Sequence, residues 1–361
     1  MTKILFVGCR HDYDRTGKVT GRGYSHDYTV WYESMLKFRP DILEVVAYWY
    51  DEVLLANGRS AMNRDLLEFV DKIRPHFIIF SFGADEIKTT TLKKITEEWN
   101  ITAIYIAGDD AWRFDSNSKT FAPYCDWILT SDSRTIPKYQ AIGCNNVITY
   151  AGWPNQSIFY KKNIPKDIDV GFVGTKSETR ERIVNYLRTA GISVEVKGKY
   201  WKEGELPSGE MADFVSRSKI MLGLNGSSYY LGIRSIVRLF LRRPRLGSRF
   251  PFYVPDIHHF FRNYKEWQQK KIVQIKGRIF EIPACGTMQI TEYTDDLSLY
   301  YEPNKEIVLF RDIGDLIAQI KYYLEHEEER EKIAKAGFKR TMLDHTAEKR
   351  LGHIFSKVGI I

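Results

Sequence analysis

Glu281 stands inside the apolar run of KGRIFEIPACGTMQITEY, residues 276–293. A carboxylate there must reach water or meet a partner rich in donors, because an unpaired charge is too costly to bury. A carboxylate accepts two hydrogen bonds without needing a proton of its own, which suits the two hydroxyls of a ribose. Lys276 and Arg278 flank it and can neutralise phosphate. Ala284, Cys285 and Gly286 are small enough to let a ligand approach the backbone, and Thr287 follows them as a further candidate contact. The plain structural alternative is a surface ion pair between Glu281 and Arg278.

A second candidate is GFVGTKSETRERIV, residues 171–184. An apolar run ends at Gly174 and a helical pattern begins near Ser177, with Thr175 and Glu178 spaced as a capping box. Free amides at a helix start attract anions, and Lys176 adds a point charge, so the turn suits a diphosphate. An ordinary capped turn has the same pattern. Lys197 and Asn225, near the ends of ISVEVKG (192–198) and IMLGLNG (220–226), join this group of donor-binding candidates.

Asp109 and Asp110 follow the apolar run ITAIYIAG and are expected to face a ligand cleft. There they would bind sugar hydroxyls or serve as a general base on an acceptor hydroxyl, although Asp is also a common turn residue. The stretch HDYDRTGKVTGRGYSHDY (11–28) reads as a glycine-dotted loop carrying His11, Asp12, Arg15, Lys18, Arg22, His26 and Asp27. Its glycines lack the GxGxxG spacing of a dinucleotide fingerprint. His26 beside Asp27 is a candidate for proton transfer, so the catalytic candidates are Asp110, Asp109 and His26.

A fourth stretch, GIRSIVRLFLRRPRLGSRFPFYVP (232–255), is basic: six arginines fall between 234 and 249, and no acid lies between Asp213 and Asp256. Arg234, Arg238 and Arg242 recur every four residues and so share one helical face. This segment, about 234–249, suits an anionic membrane surface or a nucleic acid, and its arginines can equally pair with acids of the first domain.

The elements that must position these groups alternate. ILFVGC (4–9), LEVVAYWY (43–50), HFIIFSFG (76–83), ITAIYIAG (101–108), DWILTSD (126–132) and NVITYAG (146–152) are strand-like, with helical patterns between them. Apolar strands alternating with helices imply parallel sheets covered on both faces. WPNQSIFYKKNIPKD (153–167) breaks the rhythm and reads as a linker, after which strands and helices resume. The expected fold class is α/β, with two Rossmann-like domains facing each other across a cleft. The expected boundaries are 1–155 for the first domain and 156–343 for the second, within which about 227–272 is basic. A helix over 344–361 is expected to pack back on the first domain.

The 361-residue chain has a formal charge of +7, which favours an anionic partner. Its four cysteines form no CxxC pair and no zinc spacing, so each reads as a small apolar side chain, and no metal site is expected. No apolar run is long enough to span a bilayer, and the opening MTKILFVGCRHD reads as a first strand rather than a signal peptide. The expected location is the cytoplasm, with peripheral membrane contact through the basic segment.

The run from KGRIFEIPACGTMQITEY through YYLEHEEEREKIAKAGFKRTMLDHTAEKR resembles the C-terminal half of the CgeB-like (spore maturation protein-like) glycosyltransferases. The shared pattern is Arg-x-Phe-Glu, a small-residue Cys-Gly, a Tyr-Tyr-Leu helix, an Ala-x-x-Gly helix and a His-Thr followed by Arg. The Phe-Val-Gly turn with a following Arg, IAGDDAWRF (106–114), YCDWILTSD (124–132) and YQAIGCNNVITYAGWPNQSIF (139–159) resemble the same family. The resemblance implies a GT-B fold with an acceptor-side first domain, a nucleotide-sugar-binding second domain in which about 227–272 is a basic insertion, a nucleotide-sugar partner held mainly by that second domain, and sugar transfer to an unidentified acceptor hydroxyl. It implies that Glu281 holds the donor ribose and that no cofactor is needed beyond the co-substrate. Retaining relatives often carry a second Glu eight positions earlier; here that position is Val273. Retaining, metal-independent transfer is the expected mechanism. A nucleic-acid-modifying glycosyltransferase and a non-catalytic nucleotide-sugar-binding protein are the alternatives.

Overall fold

The structure, a computed structural model, describes residues 1–14, 17–226, 236–237, 239–242, 254–270 and 272–361. It divides into two compact units: Met1–Tyr150 with Leu231–Gln269 and Leu351–Ile361, and Ala151–Tyr230 with Lys270–Arg350. The basic segment thus groups with the first unit rather than with the domain in whose sequence it is inserted.

The first unit holds strands β1 (Thr2–Gly8), β2 (His11–Tyr13), β3 (Val19–Tyr24), β4 (Leu43–Trp49), β5 (Phe77–Phe80), β6 (Thr102–Ala107), β7 (Trp127–Thr130) and β8 (Val147–Thr149). Six of them form a sheet in the order β4-β1-β5-β6-β7-β8, every pairing parallel. Ile4, Leu5, Phe6 and Val7 are fully buried in sequence. An unbroken apolar run is what a strand covered on both faces requires. The chain steps from β1 outward to β4 and then back past β1 to β5, so the strand order reverses between β1 and β5. Leu5, Val7, Ile78, Phe80, Ala103 and Tyr105 join Leu54, Leu66 and Val70 of the helix Tyr50–Ile73 in one core. The helix Ala347–Val358 returns Phe355 to this unit, where its ring meets Phe38 edge-on at 5.5 Å.

The second unit holds β9 (Ile168–Val173), β10 (Val194–Lys197), β11 (Ser218–Gly223), β14 (Met288–Glu292) and β15 (Val308–Phe310). The short β12 (Leu241–Arg242) and β13 (Val254–Pro255) lie between β11 and β14 in sequence and pair with each other as an antiparallel ladder. The sheet runs β10-β9-β11-β14-β15, again all parallel. Its reversal point lies between β9 and β11. Open α/β sheets bind ligands outside the carboxyl ends of their strands at such a point, and that edge is where side chains must be sought.

Candidate functional site

At the carboxyl ends of β9 and β11 one side chain spans the reversal point. The Arg180 guanidinium donates to the carbonyl of Thr175 at 2.8 Å and to that of Leu224 at 2.8 Å. Arg180 lies in the first turn of the helix Glu178–Thr189, where its backbone amide donates to the Ser177 hydroxyl at 3.3 Å. Ser177 is therefore the cap, and the Thr175–Glu178 box expected from sequence does not form. The amides of Gly174 and Lys176 are also committed, to the carbonyls of Lys197 and Lys199 at 2.9 Å each. A phosphate at this turn would meet the remaining helix-start amides and the Arg180 cation, not those two groups.

The turn is built by close backbone approach. Gly198 has φ +136°, and a Cβ there would fall 2.3 Å from the Gly174 carbonyl oxygen. That same oxygen accepts from the Trp201 indole at 2.8 Å. Lys176 reaches Glu181 at 2.6 Å and lies over the Trp201 ring, and Lys197 donates to the Glu203 carbonyl at 3.1 Å.

Glu292 ends β14 on the same edge. Its carboxylate accepts from the Gly226 amide, and burial pushes its pKa up against the pull of that amide and of Arg180. Burial in turn lowers the pKa of Arg180, with Glu292 and Arg278 close enough to act on it in opposite senses. Arg278 opens the helix Arg278–Ala284 and bonds Glu281 one turn on at 2.5 Å. Their side chains are 23% and 13% exposed, so the pair is sheltered but still open to a ligand. Because the helix begins at Arg278, both residues fall on one face, and the ion pair follows. Arg180, Arg278, Glu281 and Glu292 thus gather two cations and two anions at one edge of one sheet. Lys276 is half-buried just before this helix.

Five residues expected at the ligand are placed otherwise. Thr287 is 1% exposed and its hydroxyl donates to the Val215 carbonyl at 2.7 Å. Gly286 and Thr287 precede β14, so they stand at its entry edge, opposite the carboxyl ends. Ala284 and Cys285 are core residues with Val215 and Met221 rather than a floor for a ligand. Asn225 is buried and donates to the Thr291 hydroxyl at 2.7 Å, tying β11 to β14 beneath the site.

In the first unit the acids expected to do chemistry divide. Asp110 is fully buried, and its carboxylate accepts from Tyr139 at 2.6 Å, Thr130 at 2.8 Å and Thr135 at 3.3 Å. Burial raises its pKa while these hydroxyls pull it down. Enclosed in this way it cannot reach an acceptor, so the expected general base is a bracket between β6, β7 and the segment 133–140. Asp109 is half-buried with φ 55°, and its carbonyl accepts from Trp112 and Arg113 to start the short helix Asp110–Arg113. His26 is exposed. Asp27 beside it accepts instead from the Cys9 amide at 3.0 Å and the Ser81 hydroxyl at 2.8 Å, so no His–Asp hydrogen bond forms. Asp27 therefore ties the carboxyl ends of β1 and β5 together at their reversal point, and burial raises its pKa.

The stretch read as a loop contains the antiparallel hairpin β2–β3. It is anchored by Asp51, which is fully buried and accepts from the amides of Arg10 at 2.9 Å and His11 at 3.2 Å and from the Tyr13 hydroxyl at 3.0 Å. The sequence reading missed Asp51, Arg180 and Glu292. The signal for Asp51 and Glu292 was an acid at or just past the end of an apolar strand, whereas Arg180 lies beyond the turn that follows Val173. Arg15, Arg234, Arg238 and the side chain of Arg242 lie outside the described residues.

Residues 242–356 match the model of a family described as glycosyl transferase-like. No curated protein matches the chain in sequence. Among solved structures, sucrose-phosphate synthase from Thermosynechococcus elongatus is similar over 100% of both chains, with 13% identity and a TM-score of 0.55. Anabaena HepE in complex with UDP and glucose is similar over 99% of this chain and 100% of that one, with 10% identity and a TM-score of 0.58. The lipopolysaccharide outer core galactosyltransferase WaaB, in its apo form, is similar over 99% and 100%, with 12% identity and a TM-score of 0.54. The fold is GT-B, two Rossmann-like domains, and with the family match it marks the chain as a glycosyltransferase.

Proposed function

We propose that this glycosyltransferase takes a nucleotide-sugar at the carboxyl edge of its second sheet and passes the sugar, with retention, to an acceptor hydroxyl. The observation that carries the reading is the convergence of Arg180, Arg278, Glu281 and Glu292 at the reversal point of that sheet, three of the four inside the matched segment. Arg180 and the start of its helix would face the diphosphate, together with Arg278 once it leaves Glu281. Fixed cations there stabilise the charge that develops on the leaving group, and the mechanism needs no metal for that purpose. Glu281, released from Arg278, would accept from the ribose hydroxyls. The resemblance of KGRIFEIPACG to the CgeB-like enzymes supports the same assignment. Because HepE is seen with UDP and glucose, UDP-sugars are the first donors to try.

The test is calorimetric titration of the wild type and Glu281→Gln with UDP-, GDP-, ADP- and dTDP-sugars, followed by turnover assays with the donor that binds. Loss of charge-assisted bonds to the ribose should weaken the true donor by about 10-fold or more. Equal affinity of wild type and variant for that donor would remove Glu281 from the site. Binding without turnover on any acceptor would leave a nucleotide-sugar-binding protein.

A further inference from the structure

The inserted part of the first unit carries an apolar surface that the core does not use. In the stretch Ile257–Gln269, Ile257 is 72% exposed and Phe261 83% exposed. Ile257, Phe261 and Tyr264 are spaced i, i+4, i+7, which places them along one face. The surface continues through rings: Phe261 packs on Phe260 at 5.5 Å, and Phe260 stacks on Phe240 at 4.9 Å. Ile236 and Val237, just before Phe240, are also about half exposed. The helix Phe260–Gln269 is held from the side opposite Phe261 by Asn263, which donates to the Leu239 carbonyl at 3.0 Å, and further along by Lys265 and Gln269, which reach Asp115 at 3.0 Å and 2.9 Å. These contacts fix the helix and leave Phe261, at its start, facing outward. His258 and Arg262 are exposed next to it.

The surrounding sequence is strongly basic, with Asp256 and Glu266 its two acids between 214 and 269. Six arginines fall between 234 and 249, and no acid occurs from 214 to 255. Contiguous exposed apolar surface marks an interaction site. Apolar side chains that penetrate, surrounded by cations that meet phosphate, are what an anionic bilayer surface rewards. A nucleic acid would use the arginines, but it offers no apolar interior to Ile236, Val237 and Ile257. Among the described residues no helix is long and apolar enough to cross a membrane, so contact would be at the surface. We propose that this face seats the protein on an anionic lipid bilayer, with Ile257 and Phe261 entering the headgroup region and the exposed Arg262 beside them meeting lipid phosphate.

The test is flotation of the whole chain with phosphatidylcholine vesicles, with and without phosphatidylglycerol. The wild type should float with the anionic vesicles and remain behind with the neutral ones, and added salt should release it. Phe261→Glu should weaken anionic binding by roughly 10-fold or more, since it removes a large apolar contact and adds repulsion. Phe261→Trp, which preserves the apolar contact, should bind and should add a blue-shifted emission on anionic vesicles beyond that of the native tryptophans. Failure of the wild type to float overturns the proposal. So does flotation of Phe261→Glu equal to wild type, or a Phe261→Trp emission unmoved by vesicles. Salt-sensitive binding to duplex DNA without flotation would assign the face to nucleic acid and overturn it as well. None of these readouts depends on sugar transfer.

Discussion

Acidification from about pH 7.5 to about pH 5 should destabilise the second unit through one side chain, His345. Its ring is 4% exposed and sits among Phe280, Tyr300 and Tyr301 at 5.0–6.0 Å. Nε2 lies 2.8 Å from the Tyr300 carbonyl, and Nδ1 lies 2.8 Å from an Arg350 guanidinium nitrogen. The guanidinium can only donate, so Nδ1 is the acceptor and Nε2 carries the proton. A second proton would have to enter at Nδ1, against a cation and away from water. Burial first, then Arg350, lowers the pKa from 6.5 to about 4.

The sign follows from which state binds the proton. Between these two values the unfolded chain holds a proton that the folded one refuses. Stability is therefore full above pH 6.5 and is lost as pH falls toward 4. The whole span corresponds to about 3 kcal/mol, of which about 2 kcal/mol is gone by pH 5. Urea unfolding of wild type and His345→Gln at the two pH values isolates the effect, because glutamine keeps a donor and an acceptor but takes no proton. The wild type should lose about 2 kcal/mol more than the variant over this interval. An equal loss in both would refute the reasoning. So would an NMR titration in which all eight histidines show midpoints above about pH 6.

Two further substitutions probe packing that sequence alone did not expose. Asp110→Ala strands the buried Tyr139 hydroxyl and removes an acceptor from Thr130, and should lower stability by about 2–4 kcal/mol in thermal or urea unfolding while donor affinity stays the same; an unchanged midpoint would return Asp110 to the list of accessible acids. Gly198→Ala puts a methyl group against the Gly174 carbonyl at a φ of +136° and should cost about 2 kcal/mol or more, with weaker nucleotide binding by calorimetry; a variant that binds as the wild type does would show that the 174–177 turn is not part of the site.

Both sheets were legible because parallel strands buried on two faces leave unbroken apolar runs, as in ILFV and FIIF. Elsewhere the deciding contacts came from distant residues. The fate of Asp110 depends on hydroxyls 20 to 29 positions further on, so nothing near GDDAWRF distinguishes a buried bracket from an exposed acid. The helix Tyr50–Ile73 runs through Asn57-Gly58, a pair typical of turns; Gly58 does leave helical geometry, at φ 79° and ψ 167°, yet helix continues beyond it. The hairpin β2–β3 escaped notice because VTGRGY is mostly exposed and has no apolar alternation to follow. Glu281 and Arg278 were legible as candidates from an acid and a cation set within an apolar run. Arg180 was visible as a residue, but its part in joining two strand ends by their carbonyls requires the fold.

The four charges at that edge also bear on how the site avoids the cost of like charge. Arg180 and Arg278 sense each other, and each has an acid at hand, Glu292 for the first and Glu281 for the second. A nucleotide brings its own diphosphate, so it can replace a carboxylate as the partner of Arg278 without leaving a cation bare. The displaced Glu281 is then an unpaired, sheltered carboxylate in need of donors, and a ribose diol supplies two. Phosphate and ribose would thus divide between them an ion pair that already exists, each removing the penalty the other creates. Pyrophosphate alone should bind poorly, because it would strand Glu281, and a nucleoside alone should bind poorly, because Glu281 would remain held by Arg278. Glu281→Gln separates the two halves. It removes the competing carboxylate, so affinity for pyrophosphate should hold or rise while affinity for the nucleotide-sugar falls. A parallel fall in both would mean that Arg278 and Glu281 serve only to hold each other.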